Sequence, residues 1–448
     1  MTDEASARVP RDGATHGEEA RTERDDRWGW VEPSIWTERM VAALEHGVTG
    51  GKWFSLMDKV WAKRTLEAAW ERVRRNGGSA GVDRQSIDAF AAQAERYLEE
   101  LQAALRAGTY RPEAVRRVWI PKPGQAERRP LGIPTVKDRV VQTALKLVLE
   151  PIWEAGFAEQ SYGFRPRRGC KDALRRVQEL LNGGSTWVVD VDIQGYFDSL
   201  PHGRLMAEVE RRVADRGVLR LLGAYLHQGV LDGLEQWQPD QGTPQGAVIS
   251  PLLANLYLDP LDHELAEQGR QSVRYADDLV VLCRTEGEAE TVLQKLREWT
   301  VSRGLTLHPE KTRLVDATEP GGFDFLGYHF ERGRRWPSKR SERQLREKVR
   351  AKTRRMASGS LDQIVGELNP VVRGWYEYFK QSHTTTWQPL DSWIRMRLRS
   401  ILRWRQGRKG RGRGSDHVQW PNAYFAAHGL FTMASAHRQA VLALTGHS

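Results

Sequence analysis

A chain of 448 residues, 40% hydrophobic and 28% charged, is long enough to bury more than one core. Its only cysteines, Cys170 and Cys283, exclude a disulfide framework and a multi-cysteine zinc site; no apolar run approaches the roughly 18 residues of a membrane span, and the polar first 30 residues do not read as a signal peptide, so a cytoplasmic protein is expected. The net charge of +10 is unevenly placed: residues 331–448 hold 24 Lys+Arg against 8 Asp+Glu, which leaves −6 on residues 1–330 and marks one end as a footprint for a polyanion such as nucleic acid.

Residues 1–27 are rich in Glu, Arg, Asp and Gly with few large apolar side chains, and are expected to be disordered, with order beginning near Trp28. Helical periodicity runs from about Lys59 to Arg75, NGGSAGVD breaks it with three glycines, and a second helix is expected over Gln85–Ala107. VWIPKPGQAERRPLGIP reads as a β-hairpin, and DRVVQTALKLVLEPIWE as a helix. STWVVDVDIQGYF is strand-like, Pro201 to about Gln228 returns to helix, and VISPLLANLYLDPLDHELAEQ is helical again. SVRYADDLVVLCRT looks like two strands meeting at an acidic pair. After it come a helix over Glu286–Arg303, a strand-turn-strand in LTLHPEKTRLV and a single strand in FDFLGYHF. The pattern is α+β, an antiparallel sheet backed by helices. From about Ser341 onward only basic helices are expected, interrupted by a flexible loop at RQGRKGRGRGSD, with QWPNAYFAAHGL as the last packed element.

Two adjacent aspartates inside a strand-like segment repel one another, and burying either is costly unless a cation compensates. A second acidic group stands in VVDVDIQGYFD. If its strand lies beside the YADD hairpin, Asp192, Asp277 and Asp278 meet at one sheet edge. Asp190 and Asp192 share a strand face, so only the local bend decides which of them points into the site. Converging carboxylates without His or Cys suit a hard cation such as Mg²⁺. Asp190 and Asp198 are left outside the metal set, Asp198 reading as a helix cap or structural residue.

VDIQGYFDSLPH, QGTPQGAVISPLLANLYLDPLD, RYADDLVVLC, HPEKTRLV and FLGYHF, in this order, resemble the sequence blocks of reverse transcriptases, in the version found in the group II intron-encoded reverse transcriptase and maturase family. The resemblance covers roughly residues 55–440 and implies a right-hand polymerase of fingers, palm with antiparallel sheet and helical thumb, followed by a basic helical C-terminal domain. The division it implies is 1–27 disordered, 28–330 fingers and palm with an N-terminal extension, and 331–448 thumb or maturase domain with a nucleic-acid-binding region.

The same resemblance implies roles. Asp192, Asp277 and Asp278 would be the catalytic ligands of two Mg²⁺ ions, and Lys311 would protonate the departing pyrophosphate. Lys122 and Arg129 would hold the triphosphate of a deoxyribonucleoside triphosphate, Phe197 would reject a 2′-hydroxyl, and Gln245 and Gly246 would meet the incoming nucleotide. Phe325–Gly327 match the primer-grip block, NGGSAGVD resembles the N-terminal extension, and SYGFRPRRGCKDAL belongs to the family pattern near template or nucleotide. LNPVVRGWYEYFKQS and LDSWIRMRLRSILRWRQ resemble the maturase region. There Trp375 and Tyr376 read as core, and Arg373, Arg395, Arg397, Arg399 and Arg403 as nucleic-acid contacts. The implied partners are intron RNA as template and a DNA primer or target, with no membrane. The chain lacks the cysteine pairs of the nuclease that many relatives append, so the short form of the family is expected. The rivals are a stand-alone or CRISPR-associated reverse transcriptase, and a splicing-only RNA-binding protein.

Overall fold

The computed structural model describes residues 27–445 apart from positions 49, 122–127, 234, 357 and 413; the expectation of disorder over residues 1–26 and the tip of the first hairpin lie outside the described residues. Helix α1 (Lys63–Asn76) buries Leu66, Ala69, Trp70 and Val73, the stripe an amphipathic helix needs, and its end is capped where the Gly77 N–H reaches back to Val73. The expected helix over Gln85–Ala107 is two, Ile87–Ala91 and α2 (Ala94–Ala107), because Gln93 departs from helical geometry at φ −136°, ψ 30°.

Strands β1 (Val115–Pro121) and β2 (Arg128–Ile133) form the expected hairpin, with Ile120 opposite Arg129. Helix α3 (Val136–Glu154) is buried on nearly every side, and α4 (Cys170–Asn182) leads into β3 (Trp187–Val191). The helix expected from Pro201 to Gln228 is split into His202–Glu210 and Arg216–Leu226, the second capped by Asp215, whose Oδ1 accepts from the N–H groups of Gly217 and Val218. Two strands of three residues each, β4 (Val230–Asp232) and β5 (Glu235–Trp237), extend the first hairpin into a sheet of order β2-β1-β4-β5. They are too short to show a period of two, and were not expected.

Helix α5 (Ser250–Glu267) precedes β6 (Gln271–Tyr275) and β7 (Asp278–Cys283), and α6 (Glu286–Ser302) precedes β8 (Arg313–Asp316). The central sheet runs β6-β7-β3-β8, antiparallel throughout. Of LTLHPEKTRLV only the end is a strand; Leu307 makes a single bridge to Ile193. FDFLGYHF is two strands, β9 (Phe323–Phe325) and β10 (Tyr328–Glu331), turned at Leu326 (φ +48°) and Gly327 (φ +82°), and β11 (Arg334–Pro337) completes a three-stranded sheet.

Alternation divides the central sheet between two cores. Val189, Val191, Leu279 and Val281 belong to one that includes Ala289, Val292 and Leu296 of α6. Val188, Val273, Val280 and Leu282 belong to the other, with α4, the three-stranded sheet and the helices α7 (Lys339–Lys352), α8 (Leu361–Phe379) and α9 (Trp387–Arg405). This second core crosses position 330. As expected, no strand follows Ser341 among the described residues, and Tyr376 is buried with its ring edge-on to Trp387. QWPNAYFAAHGL, which supplies the helix Asn422–Ala427, is not the last packed element: α10 (Met433–Thr445) follows, its first N–H groups held by Asp391 at 3.1 and 2.9 Å. No helix among the described residues is long and apolar enough to cross a membrane.

What aims the β6–β7 turn is a buried cation. Arg274 and Asp262 are both 0% exposed, and the arginine has all five N–H donors engaged. Nε reaches Asp262 at 2.9 Å, Nη1 reaches Asn255 Oδ1 and the Ala276 carbonyl at 2.9 Å each, and Nη2 reaches Ser161 Oγ at 2.8 Å and also Asp262. The turn is pressed against Gly163, where a Cβ would come within 2.3 Å of the Ala276 nitrogen, and Ala276 itself stands at φ +61°. Replacing Arg274 by Met leaves Asp262 buried without its counter-charge. The expected loss is about 3–5 kcal/mol, read as a lower urea midpoint at unchanged slope.

Candidate active site

The β3–β7 register ends with Val191 opposite Leu279, so Asp192, just after β3, and Asp278, the first residue of β7, stand at the same end of the two strands, close enough for the Asp192 charge to act on Asp278. Asp277 occupies the two-residue turn between β6 and β7, one position away. The three aspartates are therefore neighbours at one sheet edge. The Asp192 backbone is anchored by His308 N–H to its carbonyl at 2.7 Å and by its own N–H to Thr312 Oγ1 at 3.3 Å.

The electrostatics of this edge are tense. Asp278 still reaches solvent at the mouth of the edge, but partial desolvation by the surrounding protein, then the negative charges of Asp277, Asp192 and Asp190, push its carboxyl up to about 7. Asp277 is raised chiefly by burial, with Asp192 adding to it and Arg129 opposing. Lys311 Nζ lies 3.2 Å from Asp192 Oδ2, so the structure brings this pair together. Asp190 is set apart by its own ion pair to Arg313, Nε to Oδ2 at 3.2 Å, although burial still pushes it up to about 6.

Among the described residues no three acidic, His or Cys side chains stand close enough to form a ready metal cage. The donor set still fits a hard divalent cation, since Mg²⁺ is ordinarily held by one or two carboxylates with water and substrate phosphates. Like charges crowded at one edge are the condition that such a cation relieves.

Beside the acidic edge, Phe197 lies in the short helix Tyr196–Ser199, half-buried against the first core and 5.6 Å edge-on from Tyr196. Gln245 Nε2 donates to Asp198 Oδ2 at 2.9 Å, and its backbone carbonyl accepts the Gly132 N–H at 2.6 Å. Gly246 stands at φ +105°, with Gly132 O only 2.6 Å from where a Cβ would be, so the loop needs glycine there to lie on β2. Arg129 is exposed on β2 and close enough to act on Asp198, Asp277 and Asp278. Lys122 lies outside the described residues.

The arginines expected to contact nucleic acid fare differently. Arg399 is 2% exposed and holds Trp420 O and Asn422 Oδ1 at 2.9 Å each; Arg395 is 6% exposed and points Nη2 at Ser392 Oγ. These two are corrected to interior residues, because helical packing turned their side of α9 inward. Arg397 is half-buried on Thr353, and Arg403 donates to Lys409 O and to buried Asp416. Arg373 is exposed, 4.6 Å over the Phe431 ring. Exposed cations of this region include Lys339, Arg340, Arg343, Lys348 and Arg350 on α7, with Arg354 and Arg355 after it.

One residue of the site, Arg274, went unread in the sequence, and another, Asp198, was read only as a helix cap or structural residue. Asp198 is inside its helix rather than capping it and holds Gln245. Arg274 is part of the RYADD block, and its signal was present: an arginine in an apolar strand run is seldom buried unless paired.

Comparison with known proteins matches residues 120–330 to the family described as reverse transcriptase (RNA-dependent DNA polymerase) and residues 342–418 to the group II intron, maturase-specific domain. Protein YkfC of Escherichia coli is 32% identical over 348 residues, 68% of this chain and 86% of that protein. The group II intron-encoded protein LtrA of Lactococcus lactis is 37% identical over 196 residues, 43% of this chain but only 32% of that longer protein. A solved partial Cas6-RT-Cas1–Cas2 complex aligns at 25% identity over 55% of this chain and 42% of that one, with a TM-score of 0.35, too low to bear on the fold. With the acidic edge in place, both family models matched in chain order and YkfC aligned over most of its length, this chain belongs to the group II intron reverse transcriptase and maturase family.

Proposed function

We propose that the chain copies RNA into DNA by divalent-metal-dependent nucleotidyl transfer, and that it binds the RNA of the group II intron encoding it, assisting splicing and supplying cDNA for mobility. The observation that carries this reading is the meeting of Asp192, Asp277 and Asp278 at one sheet edge, with Lys311 paired to Asp192 and Arg129 facing the group. In this reading residues 28–330 are fingers and palm, the β2-β1-β4-β5 sheet belonging to the fingers and the central sheet to the palm. Residues 331–448 form the thumb or maturase region and the basic C-terminal part.

Asp192, Asp277 and Asp278 would hold two Mg²⁺ ions, which when bound supply Lewis-acid activation of a primer 3′-hydroxyl and charge neutralisation at the departing pyrophosphate. The chain's own residues do the rest. Arg129 and Lys122 hold the triphosphate of a deoxyribonucleoside triphosphate by charge. Phe197 closes the space under the sugar, where a 2′-hydroxyl would clash, and Gln245 meets the nucleotide while Gly246 lets backbone approach it. Lys311, released from Asp192 as charge redistributes, gives its proton to pyrophosphate. RNA template and DNA primer are held through their phosphates, with the exposed cations of α7 and Arg373 as the protein side.

The direct test is extension of oligo(dT) on poly(rA) by the purified chain. A splicing-only protein gives no magnesium-dependent product. Asp277→Ala is expected to abolish extension while leaving RNA affinity largely intact, and surviving extension would sink the metal assignment.

Ligation needs deprotonated carboxylates, and Asp278 stands near 7 without a cation. The magnesium concentration for half-maximal extension is therefore expected to fall as pH rises from about 6 to about 8. A requirement flat across that range contradicts the role of Asp278.

Replacing exposed Arg340, Arg343 and Lys348 together by Ala should flatten the salt dependence of RNA binding by about one unit of slope for each phosphate left without its cation. Arg399→Ala should instead lower stability, since its buried guanidinium ties the Trp420 carbonyl and Asn422 Oδ1 to α9.

A further inference from the structure

The segment after β3 and the loop over residues 241–246 are zipped together. Thr243 N–H reaches Phe197 O at 2.7 Å, and Gly242 N–H reaches Leu200 O at 2.8 Å. His202 Nε2 donates to Gly242 O at 2.7 Å, and Pro201 bridges Gln241. The loop lies flush on the short helix: a Cβ at Gly242, φ +88°, would sit 2.8–2.9 Å from the Asp198 backbone. Among the described residues, the one side-chain bond across this seam that reaches a residue of the nucleotide site is Gln245 Nε2 to Asp198 Oδ2 at 2.9 Å.

An ionised carboxylate only accepts, so the amide must turn its nitrogen toward Asp198. That leaves Gln245 its side-chain carbonyl oxygen and one N–H, in a set orientation, with which to meet a ligand. Phe197 is the residue next to Asp198, on the same short helix.

We propose that Asp198 is a positioning residue for nucleotide selection. It locks the Gln245 amide in one orientation and ties that amide to the helix bearing Phe197, so that the group meeting the nucleotide and the ring under the sugar keep a fixed separation. The inference rests on the reading that Gln245 and Phe197 face the incoming nucleotide. The unattached amide of a variant without Asp198 samples both flips and several rotamers, and binding must then order it.

Steady-state primer extension by the full chain tests this. Asp198→Ala is expected to raise the KM for deoxyribonucleoside triphosphate about tenfold with a smaller change in kcat, and to lower discrimination against ribonucleotides. Asp198→Asn, whose carbonyl accepts the same bond, restores KM to within about threefold. Because Asp198 acts through Gln245, the Asp198→Ala, Gln245→Ala double variant has a KM no higher than Gln245→Ala alone. Gln245→Glu, which sets two carboxylates face to face, raises KM and is relieved by adding Asp198→Asn; this pair serves should Asp198→Ala prove too unstable to assay. An unchanged KM in a folded Asp198→Ala, a full Asp198 effect on the Gln245→Ala background, or no relief in the Glu–Asn pair overturns the inference while the polymerase reading stands. No extension by the unsubstituted chain overturns that reading, and this inference with it.

Discussion

The Arg274–Asp262 pair is the constraint on which the rest of the site depends. An ion pair with no exposure at all survives burial only when every donor and lone pair finds a partner, and here five N–H donors converge on Asp262, Asn255, Ser161 and the Ala276 carbonyl. Those partners come from the segment before α4, from α5 and from the β6–β7 turn itself. One side chain therefore joins the turn bearing Asp277 to the preceding helix and to Ser161, more than a hundred residues earlier, and so fixes the turn in place. A hydrophobic filler of equal volume would suit the core as well; what it lacks is the carbonyl contact that aims the turn.

A rigid turn allows the charges beside it to be held against their repulsion. Asp278 and Asp192 are brought to one end of the sheet by strand register, not by attraction, and the displaced acidity of Asp278 comes first from desolvation and then from that crowding. Lys311 and Arg129 supply partial compensation from two sides, one from the loop before β8 and one from the β1–β2 hairpin. The chain has thus built a site whose strain is relieved by added positive charge. A divalent cation is the natural form of that charge when the donors are all oxygen.

The basic C-terminal region separates two uses of arginine. Arg395 and Arg399 fill the interior of the helical region, Arg399 donating to the Trp420 carbonyl and the Asn422 amide oxygen, while the exposed face of α7 presents Lys339, Arg340, Arg343 and Lys348 to solvent. Net charge counts both groups equally. Only the second can release counterions from a nucleic acid.

By itself the sequence determined the kind of fold and the identity of the acidic group, because these rest on local patterns. Short β-rich apolar runs marked the strands of the central sheet, 3.6-residue periodicity marked α1, α3, α5 and α6, and aspartates in apolar runs announced a cost needing compensation. Tertiary structure alone decided the splitting of helices at Gln93 and near Arg211, the pairing of the three-residue strands β4 and β5, the inward side of α9, and the partners of Asp198 and Arg274. Each of these depends on contacts between residues far apart along the chain. No local period encodes such a contact, and the free energy of a charged side chain depends on what packs around it.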